Sequence, residues 1–367
     1  MKRNPGQEVV RFLKSVLQFP GKRGPVLPVE DLSEYEKRLQ NEQKFYKDCT
    51  NVHELPDIFH YWSNKYLGPE MQRFGFTSPD DFFAYYIKSF LSDRGQQAIR
   101  ILSIGSGNCD LELEIGKKLV SEGLDNFTIE CLELNEDMLE RGREASSDAG
   151  LADHFLFTRA DFNEWKPTAN YEIAMANQSL HHVLNLEGLF DSVQQSLSSD
   201  GLFLISDMIG RNGHQRWPEA MDELQPFWAE LPDSYRYNRL MNRHEEHYIN
   251  HDCSTEGFEG IRAQDILPLL LERFNFNFFF PYGNIIFVFV DRLFGHNFDA
   301  GADWDKDFID RVHARDEECM LSGELTPTSM LAVLTKRETE IVLRHPALSP
   351  QHCVRKIPVN GSAGSRG

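Results

Sequence analysis

The sequence predicts an α/β fold, a doubly wound and mostly parallel sheet with helices on both faces. Two observations predict it. Between residues 99 and 210, aliphatic runs alternate with helix-patterned segments, and the first run breaks into a Gly-Ser-Gly turn that opens a helix. Strands alternating with helices form right-handed β-α units, which bury a parallel sheet between two helical layers.

The elements follow in order. Residues 1 to about 96 read as a polar, helical N-terminal extension acting as a lid. "VEDLSEYEKRLQNEQKFYKDC" has helical composition, "ELPDIFHYWSNKYLGPEMQRFGF" is rich in aromatics, and Ser78-Pro79-Asp80 is a helix-start signature. "IRILSIG" reads as a buried strand, and "CDLELEIGKKLVSEG" as a helix ending at Gly123. "FTIECLEL", "HFLFTRAD", "YEIAMANQ" and "LFLISDMIG" read as further strands. "NEDMLERGREASSDAG" and "LEGLFDSVQQSLSSDG" are the helices between them, the second ending at Gly201.

After Gly210 the alternation stops. Residues 211–260 are polar, rich in aromatics and His, and too long for a simple connection, so a substrate-lid insertion is expected there. "AQDILPLLLERF" resumes as a helix leading to the apolar "NFNFFFPY". A helical insertion follows over 284–323, and "SMLAVLTKR" is the last strand. The main domain therefore spans 97–337. An irregular tail covers 338–367, with "NGSAGSRG" as a flexible end.

Composition narrows the partners. The chain has 367 residues, 41% of them hydrophobic, which suffices for a sizeable core. Its 38 basic and 57 acidic residues give a net charge of −19, which argues against nucleic acid or an anionic membrane as partner. Cys49, Cys109, Cys131, Cys253, Cys319 and Cys353 show no CxxC spacing and read as reduced thiols of a cytoplasmic protein. The N-terminus lacks the apolar core of a signal peptide, and no apolar run is long enough to span a membrane. A homodimer stays open.

The candidate nucleotide site begins at Gly105, Ser106 and Gly107. Glycines there allow positive φ and bring backbone N–H groups close to a ligand, although a merely structural turn reads the same way. Glu133 ends the second strand, 26 residues beyond Gly107, where a carboxylate can accept both hydroxyls of a ribose. Asp161 follows the third strand and can accept from an adenine amino group, with Phe162 beside the ring. Asn177 and Gln178 end the fourth strand and can hold a ligand's polar end. Each also has an ordinary reading, as a strand-end or capping residue.

"LSIGSGNCDLE", "LEL", "ADF" and "NQSLHHV" resemble the successive motifs of the class I S-adenosylmethionine-dependent methyltransferases, over roughly residues 99–210. The resemblance implies a Rossmann-like, seven-stranded sheet whose final strand is antiparallel. It implies S-adenosylmethionine as cofactor and S-adenosylhomocysteine as product. It places Gly105, Ser106 and Gly107 at the methionine moiety, Glu133 and Leu134 at the ribose, and Asp161 and Phe162 at the adenine. Two departures stand out: Ser103 replaces an acid common at the end of strand one, and Cys109 stands near a third glycine. S-adenosylmethionine has no pyrophosphate to approach the helix, so the missing glycine counts more against a nicotinamide cofactor. Asp110, Glu112 or Glu114 could balance the donor's positive charge, or simply face the helix dipole.

Methyl transfer demands an aligned acceptor and, for a hydroxyl, a base. His181 and His182 follow strand four and are candidate bases, as is His247; a packed, hydrogen-bonded His pair is the ordinary alternative. Asp207, Tyr61, Trp62, Tyr248 and His251 are candidate substrate contacts, against plain aromatic packing. His244, His247 and His251, with Glu245 and Asp252, could share one helix face and bind a metal, but the HExxH motif is absent and no metal is expected. The reading is methylation of a small organic acceptor of biosynthetic or natural-product type, at oxygen. The alternatives are N- or C-methylation, a peptide substrate, or a non-catalytic S-adenosylmethionine-binding protein.

Overall fold

The computed structural model describes residues 33–46, 55–255 and 257–356. The N-terminal stretch expected to lack a signal core, Cys49 and the NGSAGSRG end lie outside them.

Eight strands form one sheet: β1 Ile99–Ile104, β2 Phe127–Glu133, β3 Phe155–Arg159, β4 Tyr171–Asn177, β5 Leu197–Met208, β6 Asn275–Tyr282, β7 Ser329–Thr335 and β8 Val342–Leu343. Their order across the sheet is β8-β6-β7-β5-β4-β1-β2-β3. β1 to β5 are mutually parallel, and β7 runs antiparallel between β5 and β6. Ile101, Leu102 and Ile104 of β1 are fully buried, as a central strand covered on both faces requires.

The longer helices are α1 Glu34–Tyr46, α2 Asp57–Trp62, α3 Pro79–Arg94, α4 Asp110–Ser121, α5 Glu136–Asp148, α6 Leu186–Ser196, α7 Pro218–Glu230, α8 Ala263–Arg273 and α9 Asp303–Ser322. Their starts follow from sequence. Ser78, Asn135 and Asn185 each accept a backbone N–H of the first turn of α3, α5 and α6. Among the described residues no helix is long and apolar enough to cross a membrane.

Three expectations change. The sheet has eight strands rather than seven; Val342 and Leu343, in the stretch read as an irregular tail, pair with Phe278 and Phe279 and cover the outer edge of β6. α6 stops at Ser196 instead of running to Gly201, because Leu197 already pairs with Tyr171. Gly201 permits close backbone approach: a Cβ there would stand 2.8 Å from the Glu172 carbonyl oxygen. Residues 237–255 contain no α-helix. They form a two-residue ribbon, Tyr237–Asn238 against Arg243–His244, then loop and a 3₁₀ turn, so His244, His247 and His251 share no helix face.

The connection from β1 leads to β2 on one side, and the chain later returns to place β4 on the other. A crevice for ligands opens at that reversal, beyond the carboxyl ends of β1 and β4.

Candidate active site

The turn after β1 is built by glycine for two reasons. Gly105 has φ 71°, and a Cβ there would lie 2.5 Å from the Ser179 Cβ, because the Ser179 hydroxyl donates to the Ile104 carbonyl at 2.6 Å. Gly107, φ 55°, donates its N–H to Glu133 Oε2 at 3.0 Å. Glu133 Oε1 accepts from the N–H groups of Leu134 and Asn135 at 2.8 and 3.0 Å. Burial pushes the Glu133 carboxyl upward, and the three N–H donors oppose that shift.

The cysteine in place of a third glycine has a partner. Cys109 is fully buried, and a Cβ on Gly142 of α5 would stand 2.8 Å from its sulfur. Close packing is thus supplied by a glycine on the neighbouring helix.

Asp161 Oδ1 accepts from the Asn163 backbone and side-chain amides at 2.9 and 3.1 Å, and the Tyr35 hydroxyl of α1 donates to Oδ2. Phe162 comes within 3.7 Å of the position a Gly105 Cβ would take. Asn177 ends β4 opposite Ser206. Gln178, φ 52°, donates to Ser206 Oγ at 3.3 Å.

Beyond β4 and β5 lies a cluster of three histidines and three carboxylates. Asp207 is wholly buried and accepts from the backbone amides of Ser179 and Leu180 at 2.9 and 2.7 Å, which fixes the 3₁₀ turn Leu180–His182. His181 Nδ1 donates to Asp207 at 2.6 Å, and its Nε2 lies 3.5 Å from Glu259. His182 faces Glu42 of α1 through Nδ1 at 2.7 Å and Glu259 through Nε2 at 3.4 Å. His214 Nε2 lies 2.6 Å from Glu259. Two backbone bonds hold the segments together: Ile261 N–H to the His181 carbonyl at 3.1 Å, and Gly213 N–H to the Gly260 carbonyl at 2.8 Å.

Burial works to lower the His181 imidazolium, but the charges of Asp207 and Glu259 outweigh it and push it up to about 10. His182 is likewise raised: burial opposes the shift, and Glu259 and Glu42 carry it. Desolvation works to raise Glu259, whose side chain keeps 39% exposure. The neighbouring His182, His181 and His214 nonetheless hold it well below the usual carboxylate range. His181, His214 and Glu259 offer one donor atom each within 4.8 Å of one another. The 2.6 Å His214–Glu259 separation is a hydrogen bond, shorter than the roughly 3.4 Å between ligands around a tetrahedral metal.

The remaining sequence candidates stand elsewhere. Tyr61 donates to Asp310, and Trp62 Nε1 to His313 at 3.2 Å, both on α9. Tyr248 packs edge-on against Trp228 at 5.5 Å. His247 is exposed and His251 half-buried. Sequence reasoning missed His214 and Glu259. The available signals were a histidine in the loop after strand five, in "RNGHQ", and an acid flanked by glycine in "GFEGI".

Residues 83–263 match the family model described as a methyltransferase domain. With the strand order and the turn after β1, this match marks residues 83–263 as a class I S-adenosylmethionine-dependent methyltransferase domain, whose cofactor is S-adenosylmethionine. Among curated relatives, it is 24% identical over 137 residues to malonyl-[acyl-carrier protein] O-methyltransferase 2 of Ilyobacter polytropus, covering 37% of this chain. The chain spans about half the length of that relative, 49%. Solved structures of similar shape include the O-methyltransferase of a trans-AT polyketide synthase multienzyme of Brevibacillus brevis with S-adenosyl-L-homocysteine, at 14% identity and TM-score 0.41 over 83% of this chain and 88% of that one. A geranyl diphosphate methyltransferase is 10% identical, with TM-score 0.39 over 69% and 77%.

The residues present fit that cofactor. Gly105 and Gly107 put no side chains of their own into the turn, Glu133 ends β2 hydrogen-bonded to that turn, and Asp161 follows β3 with two carboxylate oxygens.

Proposed function

We propose that the chain transfers the methyl group of S-adenosylmethionine to a hydroxyl of a small organic acceptor, with His214 as the base and Glu259 as its orienting partner. One observation carries this reading. With its Nε2–H donated to Glu259, His214 presents the Nδ1 lone pair as a proton acceptor, beside the turn that follows β4. His181 and His182 support the reaction differently. Both nitrogens of each face a carboxylate, which favours the charged form of each ring and fixes the position of Glu259.

The donor supplies an activated methyl group when bound, and the chain aligns the acceptor and excludes water. Segment 211–260 contributes His214 and Glu259 directly, which supports its role over the acceptor. Incubation of the chain with labelled donor and a panel of hydroxylated acceptors, followed by mass analysis, tests the proposal. Methylated oxygen is the expected product. Product methylated only at nitrogen or carbon, or donor binding without turnover across the panel, would overturn it.

A further inference from the structure

Ser103 stands at the end of β1, two residues before Gly105, and is 2% exposed. Its hydroxyl donates to Glu112 Oε1 at 2.5 Å. Glu112 belongs to the first turn of α4 and is itself 2% exposed. Its other oxygen, Oε2, is buried and has no hydrogen-bond partner. No cation pairs with it within 4.0 Å among the described residues, and the charges nearest it are acidic, Asp110 and Glu133. Burial drives the Glu112 carboxyl up to about 7. A buried acid with one orphaned oxygen is costly unless a partner completes it.

The donor brings such a partner. Its amino-acid end carries a primary ammonium, and the β1 turn offers that end mostly backbone groups. We infer that Glu112 is the carboxylate that receives the ammonium of the bound donor, reaching from helix α4 to the position that Ser103 leaves without an acid. The Ser103 hydroxyl orients Oε1, which leaves Oε2 for the ligand. This inference rests on the methyltransferase reading of the site.

The test uses calorimetry on the full chain with two probes: S-adenosylhomocysteine, which has the amino-acid end, and 5′-methylthioadenosine, which lacks it. Glu112→Gln should weaken S-adenosylhomocysteine about ten- to a hundredfold, the range of a hydrogen bond to a charged group, and leave 5′-methylthioadenosine unchanged. The double variant Ser103→Asp with Glu112→Gln should regain most of the loss, since it returns the acid to β1. Equal weakening of both probes in Glu112→Gln marks a structural role and overturns the inference, as does unchanged S-adenosylhomocysteine affinity. A wild-type chain that binds neither probe fails the methyltransferase reading itself, an outcome distinct from the other two.

Discussion

His214 has φ 55°, uncommon for a residue with a Cβ, and it follows Gly213 in a 3₁₀ turn after β5. Strain of this kind persists where surrounding contacts over-determine it, and here the Gly213–Gly260 bond and Glu259 do so. Asn tolerates that backbone and cannot act as a base. His214→Asn is therefore expected to lower kcat about 10²- to 10⁴-fold while S-adenosylhomocysteine affinity stays the same. Turnover at the wild-type rate would remove His214 as the base. Gly105→Ala meets both a positive φ and the Ser179 Cβ at 2.5 Å. It should cost about 2–3 kcal/mol in thermal unfolding and abolish donor binding, and a variant with unchanged melting and affinity would contradict that account. At this scale the sequence singled out Gly105, Glu133 and Asp161 because each ends or closely follows a strand. It hid the His214–Glu259 and Ser103–Glu112 pairs, since pattern within a segment says nothing about a partner 45 residues away or about which face of α4 turns under the sheet.

Helix α1 connects sequence regions that have no local reason to meet. Arg38 donates to the Ser254 carbonyl at 2.6 Å and to that of Gly257, Glu42 faces His182, and Tyr35 reaches Asp161. α1 therefore touches Asp161, the His pair and the loop that carries Glu259. Arg38→Ala should release that loop. Amide exchange is expected to quicken in peptides covering 252–260 and stay unchanged in β1 and β4. Equal exchange in variant and wild type would mean the loop is held by its own bonds alone. The β-α alternation from 99 to 210 was legible because buried strands and amphipathic helices have different periods. The three misjudged places had weaker signals. A two-residue edge strand such as β8 carries no period, and Gly201 looks like a helix stop while serving a close strand contact. The His-rich stretch fits helical spacing, yet Asn238 and Glu245 tie it into a ribbon through a buried 2.9 Å bond that spacing cannot foresee.

Over the whole molecule, the same buried charges set how stability varies with pH. His181 titrates at about 10 in the folded protein against 6.5 as a free side chain, so its contribution is complete below about pH 6.5 and is lost as pH rises through 10. A shift of that size corresponds to roughly 4–5 kcal/mol at most. Glu112 and Asp316 are buried acids raised to about 7, so the folded state binds more protons than the unfolded chain between their ordinary range and pH 7, and stability falls as pH rises there too. A net charge of −19 adds self-repulsion in the same direction. Glu259 acts in the opposite sense. Its depressed carboxyl contributes stability above its unfolded value, and that contribution disappears as pH falls below about 4.5. The melting temperature should therefore peak at mildly acidic pH, decline by several degrees toward pH 10, and fall again in acid. Glu259→Gln removes a charge that supports His181 and His182 and also the group lost in acid, so it should flatten both limbs. Differential scanning calorimetry from about pH 2 to 11 on the two proteins decides it: parallel profiles would show that the cluster does not govern the pH dependence of the fold.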